Sequence, residues 1–534
     1  MRAADRRAAV LALRPARGGV LIALAVLAWL AATAGLRPLA LPDEGRYVGA
    51  ALEMARSGDW ATPTLDGLPF FHKPPLFYWV TAAALRLLGT SEGAGRAAPL
   101  LGAWLASWSL FALLRRWQPA QRPRWAGSAL LVLLTQPFFY FGAQYANTDM
   151  LVAGCICACI ALAAHAVLSD AAGRPDRRAL WAAYGMAGLG VLAKGLIGVV
   201  LPGAVIVAWL VWERRWVSLL RLVSAPGLAV LAAVSVPWFA LMARRHPGFL
   251  HEFFVVQHVE RFSQGGFNNA MPLWFYPVAI ALLALPWTLW GLALLRRPVR
   301  QALAAADDGE RSLRRLLLVW AAVIVVFFSL PQSKLVGYVL PALPPLAALL
   351  ALLMLAGRRA AEGEDGHAGL PAAGRLTLAV AALLCAAAAV ALGLRPPGPS
   401  SREAAAVVRA QGGVGDGVLF VDNYLYDFGF YSGRPPPLAV LGDWRPDVAL
   451  ARDDWRKELA EAARFAPARA AAVLLDEAGA LRLLCGHAQT WVLSRRDDAA
   501  RHLPLLAGLS PAQHGGVRLW RVARPASCLP APSG

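Results

Sequence analysis

Long apolar runs dominate this 534-residue sequence, and they constrain its fold more than any other feature. About 20 apolar residues are enough for a helix to cross the hydrocarbon core of a bilayer. Ten apolar segments are of spanning length or close to it, at 19–36, 97–114, 125–143, 149–168, 181–212, 222–242, 273–295, 316–330, 337–357 and 376–394. The sequence therefore predicts a mainly α-helical protein that crosses the membrane many times.

The number of crossings depends on two segments. Residues 181–212 are long enough for two helices with a turn near Lys194 and Gly195, which gives 11 predicted spans. The run at 74–88 holds about 14 residues before Gly89, a length that suits an interfacial or re-entrant helix. If it does not cross, the arginine-rich loops all face the cytoplasm, as the positive-inside rule requires. The alternative count is 13 spans, if short segments also cross.

The composition excludes several other classes of protein. Apolar residues make up 58% of the chain and charged residues 16%, whereas about a quarter of a soluble domain is charged. The net charge of +19 would suggest a nucleic-acid partner in a soluble protein. Here the arginines lie in short loops between apolar runs, where they orient the spans, so we expect no nucleic acid. The cytoplasmic loops also lack the phosphate-binding motif G-x-x-x-x-G-K-[ST], which argues against a nucleotide-driven pump or synthetase.

With 11 spans, the polar loops gather on the outer face. They lie at 37–96, 144–149, 243–272 and 331–336, and the sequence from 395 onward joins them. We divide the chain into a transmembrane domain, 1–394, and an α/β domain outside the membrane, 395–534, that covers or shapes the outer cleft. Strand-like runs in the second domain lie at 418–422, 438–441, 471–475, 490–493 and 517–522. Cys485 and Cys528 could pair there if that domain lies outside the cytosol.

Carboxylates follow or begin two of the spans at their outer ends. Asp43 and Glu44 follow the first span, and Asp149 begins the span at 149–168. Such acids can serve as general bases or ion-pair partners, although each of the aspartates could also simply cap a helix. Because Asp43 and Asp149 are expected at the same depth, they can form one acid/base or sugar-binding site.

Cations accompany these acids. Only four of the 52 basic residues are lysines, and three of them (Lys73, Lys194 and Lys334) fall in segments that look functional. Lysine in an arginine-rich composition indicates a need for a compact ammonium, unless the lysines are scattered by chance. A lipid phosphate near Lys334 and Tyr338 would be neutralised further by Lys73, together with Arg46 and Arg261.

Histidines supply a candidate metal site. His72 precedes Lys73, and helical spacing places His251, His258 and Arg261 on one face. Imidazole is a natural zinc ligand, so His72 and His258 could belong to a zinc-type site. The alternatives are surface histidines on an amphipathic helix and, for His72 with Lys73, an anchor at the membrane interface.

Six segments together carry a resemblance to a known family, and they occur in the family's order. They are DEGRY at 43–47, ARSGDWATPTLDGLPFFHKPPLFYW at 55–79, NTDM at 147–150, LAKG at 192–195, QHVERF at 257–262 and SKLVGYVLPALPPLA at 333–347. The chain resembles the GT-C glycosyltransferases that use polyprenyl-phosphate sugars, relatives of the protein O-mannosyltransferases. It is most similar to the bacterial 4-amino-4-deoxy-L-arabinose (aminoarabinose) lipid A transferase family.

The resemblance implies a GT-C helix bundle in the bacterial inner membrane, with the N-terminus cytoplasmic. It implies inverting transfer of aminoarabinose from undecaprenyl phosphate to lipid A phosphate on the periplasmic face, which confers resistance to polymyxin. It also implies roles: Asp43 as the catalytic acid/base and Asp149 as a second, sugar-contacting carboxylate. The implied substrate- and phosphate-binding residues are Lys73, Arg261 and Tyr338, with Arg46, Lys194, Lys334 and Glu44 as further candidates.

One position departs from the family pattern. The family usually has a glutamate of its metal site before the Lys-Pro-Pro sequence, where this chain has His72. The metal implied is a structural zinc, not required for catalysis, with His72 and His258 as candidate ligands. Another sugar or acceptor on the same scaffold is the alternative function. A transporter of lipid-linked sugars is a third, which the scarcity of ionisable residues inside the spans argues against.

Overall fold

The computed structural model describes residues 17–260, 270–362, 370–395 and 400–528. Of residues 17, 257–260, 359–362 and 527, only the backbone is described. Arg261 lies outside the described residues, and the side chain of His258 is likewise not described, so the roles expected of these two residues stay predictions.

Helices make up nearly all of the first part of the chain. The α-helices are Arg17–Ala31, Asp43–Ser57, Leu76–Leu88, Glu92–Gly95, Ala97–Trp117, Trp125–Leu134, Pro137–Gly142, Thr148–Ala171, Arg177–Lys194, Ile197–Trp212, Trp216–Leu222, Ala225–Arg245, Phe275–Leu283, Arg297–Ala304, Asp308–Ser329, Leu343–Glu362 and Ala372–Leu394. Trp287–Leu295 and Val336–Ala342 are 3-10 helices, and His251–Glu260 is a π-helix. A short hairpin pairs β1 (Thr64–Leu65) with β2 (Leu68–Pro69).

The predicted polytopic α-helical fold is confirmed. Among the described residues, six helices are long and apolar enough to cross a membrane: Ala97–Trp117, Thr148–Ala171, Ala225–Arg245, Asp308–Ser329, Val336–Arg358 and Ala372–Leu394. A bent pair of helices gives a seventh candidate, and the remaining predicted spans coincide with shorter helices. The ambiguous run at 74–88 forms a helix of only 13 residues, Leu76–Leu88, which suits the interfacial or re-entrant reading.

Two predicted spans are not continuous helices, and proline explains both breaks. The run at 125–143 divides into Trp125–Leu134 and Pro137–Gly142. The run at 273–295 bends by 108° between Phe275–Leu283 and Trp287–Leu295, next to Pro286. Proline lacks the N–H that would continue a helix, and its ring restricts the residue before it. Each of these two predicted spans is therefore interrupted by a bend.

The predicted helical pair at 181–212 is present, and two glycines set its geometry. Gly195 forms the turn with a φ of 86°, a conformation that side chains other than glycine rarely adopt. A Cβ atom on Gly198 would lie 2.3 Å from the carbonyl carbon of Gly190. The two helices thus meet backbone to backbone, as small residues allow in membrane proteins. This turn places Lys194 at the end of its helix.

The C-terminal region is the predicted α/β fold, built on one six-stranded sheet with the order β5-β4-β3-β6-β8-β7. The strands are β3 (Gly417–Val421), β4 (Ala439–Leu441), β5 (Leu474–Leu475), β6 (Gln489–Ser494), β7 (Ala512–His514) and β8 (Val517–Ala523). β3 to β6 are parallel to their neighbours in that group, whereas β8 is antiparallel to β6 and to β7. The sequence reading missed β7, although the Gly515-Gly516 pair that follows it is a recognisable hairpin signal.

Helices cover this sheet: Arg402–Gln411, Phe428–Ser432, Pro446–Ala449, Trp455–Ala463, Pro467–Val473, Glu477–Gly486 and Ala499–His502, with short 3-10 helices at Pro504–Gly508 and Ala526–Cys528. Cys485 and Cys528 form a disulfide, the pairing that the sequence left open.

The α/β region packs directly on the first outer loop. The amide of Leu39 donates to the Tyr431 hydroxyl at 2.9 Å, and the amide of Leu438 donates to Asp66 at 2.7 Å. A Cβ atom on Gly45 would lie 3.0 Å from the Cβ of Tyr426, so the Asp43–Ser57 helix touches this region closely. The first outer loop is therefore enclosed between the helix bundle and the α/β region.

We predict that Gly198→Ala lowers the free energy of unfolding by about 1–3 kcal/mol, because the added methyl group meets the Gly190 backbone. Gly203→Ala is the matched control on the same helix, since a methyl group there meets open space within 4 Å. Thermal unfolding in detergent measures both variants. Equal melting temperatures for the two variants would contradict the close contact.

Candidate active site

Glu44 is the buried anchor of the first outer loop. Its side chain is 0% exposed, and its two carboxylate oxygens accept hydrogen bonds from Arg37, from Arg96 and from the backbone amides of Ala40 and Ala146. Arg96 is equally buried, and its remaining N–H groups donate to backbone carbonyl oxygens. Glu44 therefore holds the loop together, and its burial argues against its predicted part in substrate binding.

The pKa of Glu44 reflects this environment. Burial raises the pKa, but the hydrogen bonds and positive charges of Arg96 and Arg37 outweigh burial and lower it to about 2. The carboxylate thus stays ionised, and its stabilising contribution is present at neutral pH.

Asp43, the next residue toward the N-terminus, is more open. Its side chain is about one-third exposed, and Oδ1 forms an ion pair with the Nη2 group of Arg46. The Tyr145 hydroxyl approaches Oδ2 at 3.4 Å, a long contact. The alternative capping role does not apply, because Pro42 occupies the N-cap position and Asp43 is the first residue of its helix. Asp43 therefore keeps one oxygen largely available.

Asp149, Lys194 and Tyr338, which the sequence named as separate candidates, lie together in one cluster. Asp149 is 5% exposed, and Lys194 donates to its Oδ1. Asn147 caps this helix and also donates to Oδ2 of Asp149 at 2.9 Å. The Lys194 ammonium lies 4.3 Å from the centre of the Tyr338 ring, at cation–π distance. Three segments far apart in sequence thus meet at one carboxylate.

Gly337 makes room for this carboxylate. A Cβ atom at position 337 would lie 2.4 Å from Oδ2 of Asp149, so no other residue fits without displacing the acid.

Asp43 and Asp149 line the same cavity, which has a volume of about 430 Å³. The other polar lining residues are Tyr145 and Asn147. Most of the wall is apolar, from Pro137, Phe138, Phe141, Leu283, Leu335, Val336 and Leu340. The size is within the range of small-molecule sites, and the lining suits a ligand with a polar head and an apolar chain.

Lys73 and Lys334 are placed differently from each other. The Lys73 ammonium donates to the carbonyl oxygen of His72 at 2.9 Å, and the side chain is half-buried. Lys334 is only 3% exposed and donates to the backbone carbonyls of Met271 and Pro331. These contacts join two outer loops and argue against the predicted binding of a lipid phosphate by Lys334.

Comparisons with known proteins show what this chain is similar to in sequence and fold. A sequence model of the family described as dolichyl-phosphate-mannose-protein mannosyltransferase matches residues 72–240. The undecaprenyl phosphate-alpha-4-amino-4-deoxy-L-arabinose arabinosyl transferase of Erwinia tasmaniensis is 34% identical over 59% of this chain and 55% of its own length. The arabinosyl transferase 1 of Sodalis glossinidius, which has the same description, is 34% identical over 68% of this chain and 64% of its own length. These matches span less than two thirds of each relative.

The solved structures extend the likeness to nearly the whole chain. The crystal structure of ArnT from Cupriavidus metallidurans bound to undecaprenyl phosphate aligns with a TM-score of 0.74 and 26% identity. The alignment covers 97% of this chain and 100% of that one. This chain is therefore similar to the arabinosyl transferases in sequence and, over nearly its whole length, in fold.

The zinc site expected for this family is incomplete among the described side chains. Nε2 of His72 lies 3.1 Å from Oε2 of Glu461. No group of three His, Cys, Asp or Glu side chains that could hold a metal ion occurs among the described residues. A structural zinc takes four ligands, so these two donors do not make a site. The side chain of His258, the other predicted ligand, is not described, so the zinc site stays a prediction.

The sequence reading missed Glu458 and Glu461. Both lie on the Trp455–Ala463 helix, three residues apart, and both are buried. Glu458 pairs with Arg46, and Glu461 contacts His72. The available signal was two acids on one face of a short helix, but nothing in the sequence identifies their partners in the first outer loop.

We predict that Glu44→Gln lowers the free energy of unfolding by about 3–5 kcal/mol, because Arg96 is then left buried without a charge partner. Asp308→Asn is the control, since its ion pair with Arg311 is on the surface and its effect should stay within about 0.5 kcal/mol. Thermal unfolding at pH 7 measures both variants.

The contribution of the Glu44 carboxylate to the free energy of unfolding should also depend on pH. Because the folded pKa is lowered to about 2, the stabilisation is full above the unfolded pKa of about 4.3 and is lost as the pH falls toward 2. The stability difference between wild type and Glu44→Gln should therefore shrink between about pH 5 and pH 2. A stability difference that stays constant over this pH range would contradict the assignment of this stabilisation to the ionised Glu44 carboxylate.

Proposed function

We propose that this protein is an inverting membrane glycosyltransferase that moves 4-amino-4-deoxy-L-arabinose from undecaprenyl phosphate to a phosphate of lipid A on the periplasmic face. The observation that carries the proposal is the single cavity lined by Asp43, Asp149 and a mostly apolar wall. The names of the relatives supply the donor, and the family resemblance supplies the acceptor.

The cavity suits both parts of the donor. The apolar wall is compatible with the start of a polyprenyl chain, and the two acids are compatible with an aminosugar. Lys194, which pairs with Asp149 and lies over the Tyr338 ring, supplies a positive charge next to the cavity. Asp149 is a natural partner for the amino group of the sugar, because a carboxylate accepts charge-assisted hydrogen bonds from an ammonium.

The transfer breaks the bond between the anomeric carbon and the donor phosphate, and forms a bond from that carbon to an oxygen of the acceptor phosphate. Attack opposite the leaving group inverts the configuration. The leaving polyprenyl phosphate gains negative charge as the bond breaks, and we assign its stabilisation to Lys73, Tyr338, Lys194 and Arg261. Asp43 orients the acceptor and takes its proton where the acceptor phosphate is protonated.

The disulfide supports an outer location for the α/β region. Disulfides persist in oxidising compartments such as the periplasm and are rare in the cytosol. Cys485 and Cys528 are paired within this region, which fits a site that opens to the periplasm.

A second candidate keeps the fold and changes the substrates. The matching family model at residues 72–240 is described as dolichyl-phosphate-mannose-protein mannosyltransferase, so a different lipid-linked sugar or a protein acceptor is the alternative.

The experiment is mass spectrometry of lipid A from a polymyxin-sensitive strain that lacks its own transferase but makes the aminoarabinose donor. Wild-type protein should add aminoarabinose to lipid A. Asp43→Asn should lower the product at least about 100-fold, because a general base or orienting acid contributes that much. The control is Asp443→Asn, since Asp443 is on the surface of the α/β region and pairs with Arg445.

Unmodified lipid A, despite wild-type protein in the membrane, would contradict this donor and acceptor and favour the second candidate. Full modification of lipid A by the Asp43→Asn variant would show that Asp43 has no catalytic role, and the proposed transfer would still stand.

We also propose that no metal takes part in the chemistry and that any zinc only joins outer loops. Treatment with a chelator should therefore leave the turnover number of the folded protein unchanged, although it could lower the melting temperature. Measuring turnover and melting temperature on the same treated sample separates the two effects. A loss of turnover at an unchanged melting temperature, restored by zinc, would contradict the proposal.

A further inference from the structure

Arg46 is shared between two carboxylates from distant parts of the chain. Its Nη2 group pairs with Oδ1 of Asp43, and its Nη1 group pairs with Oε1 of Glu458. Burial lowers the pKa of this guanidinium, but Glu458 and its neighbours raise it well above the ordinary value, so it stays charged. Both anions thus hold a single cation. Arg46 thus pairs with one carboxylate on each side, and these contacts argue against its predicted role in phosphate binding.

Glu458 is itself fixed in place. The Tyr426 hydroxyl donates to its second oxygen, Oε2, at 2.6 Å. The Trp455–Ala463 helix that carries Glu458 is capped by Asp454, and Glu458 is 6% exposed. Tyr426, Glu458, Arg46 and Asp43 therefore form one chain of contacts from the α/β region to the cavity.

The geometry of arginine gives this chain a consequence for Asp43. A guanidinium that meets a carboxylate alone tends to bind both of its oxygens through two parallel N–H groups. Here Glu458 binds Nη1 and fixes the orientation of the guanidinium, in which Nη2 meets only Oδ1 of Asp43 and Oδ2 lies toward Tyr145 and the cavity. Without Glu458, the guanidinium would be able to turn, bind both oxygens of Asp43 and draw the acid away from the cavity.

We propose that Glu458 is a positioning residue for the proposed transfer: by holding one side of Arg46, it keeps one oxygen of Asp43 available to the acceptor. The inference rests on the proposed function, because it assigns Asp43 its role there. It also means that the α/β region completes the active site, since only that region supplies Glu458.

The test is steady-state kinetics of the purified full-length protein with undecaprenyl phosphate-aminoarabinose and lipid A. Glu458→Gln keeps the shape of the side chain and removes its charge. We expect its kcat to fall about 10- to 100-fold while the KM for the donor stays within about threefold, because Asp43 is misplaced and the donor contacts are intact. The exposed Glu477→Gln variant, in the same region, should behave as wild type.

Two further variants separate positioning from stability. Glu458→Asp keeps the charge, so it should recover more kcat than Glu458→Gln at a comparable melting temperature. In an Arg46→Lys background, adding Glu458→Gln should cost little more, because lysine cannot bind both oxygens in the manner of arginine. This double-mutant cycle measures the coupling between Glu458 and Arg46. If Glu458→Gln alone folds poorly, the comparison of Arg46→Lys with the double variant still tests the role of Glu458.

An unchanged kcat in Glu458→Gln, or equal losses with and without Arg46, would overturn the role of Glu458. So would a loss of kcat that follows only the fraction of folded protein. A wild-type protein that makes no product would instead overturn the proposed function, so the two failures are distinguishable.

Discussion

The buried ion pair between Glu44 and Arg96 is the interaction on which the outer face depends. Both side chains are fully buried, so each charge would be costly without the other. Together they join the start of the Asp43–Ser57 helix to the chain near Ala34, Arg37 and Ala146. Asp43 and Arg46 sit on the same helical turn as Glu44, so the pair fixes their positions as well.

The bilayer explains where the fold is irregular. Backbone polar groups must be satisfied inside a membrane, and irregular backbone is tolerated where it lines a cavity. The break before Pro137, the end of the helix at Leu283 and the 3-10 segment Val336–Ala342 all contribute residues to the cavity wall. The departures from straight helices are therefore concentrated at the candidate active site.

Residues that act through local pattern were predictable from the sequence, and residues that act through distant partners were not. The apolar runs predicted the helices, and the motifs predicted one site for Asp43 and Asp149, which line one cavity in the structure. The burial of Glu44 was not predictable, because sequence does not show whether a charge meets substrate or a buried partner. Glu458 was not predicted at all, since its partner Arg46 lies 412 residues away in the sequence.

The central claim is that the cavity between Asp43 and Asp149 holds the lipid-linked donor. A cryo-EM structure of the protein with undecaprenyl phosphate bound tests it most directly. The account predicts the phosphate in this cavity, with an oxygen within about 3 Å of the Tyr338 hydroxyl or of a lysine ammonium. A phosphate bound elsewhere, with this cavity unoccupied, would contradict the account.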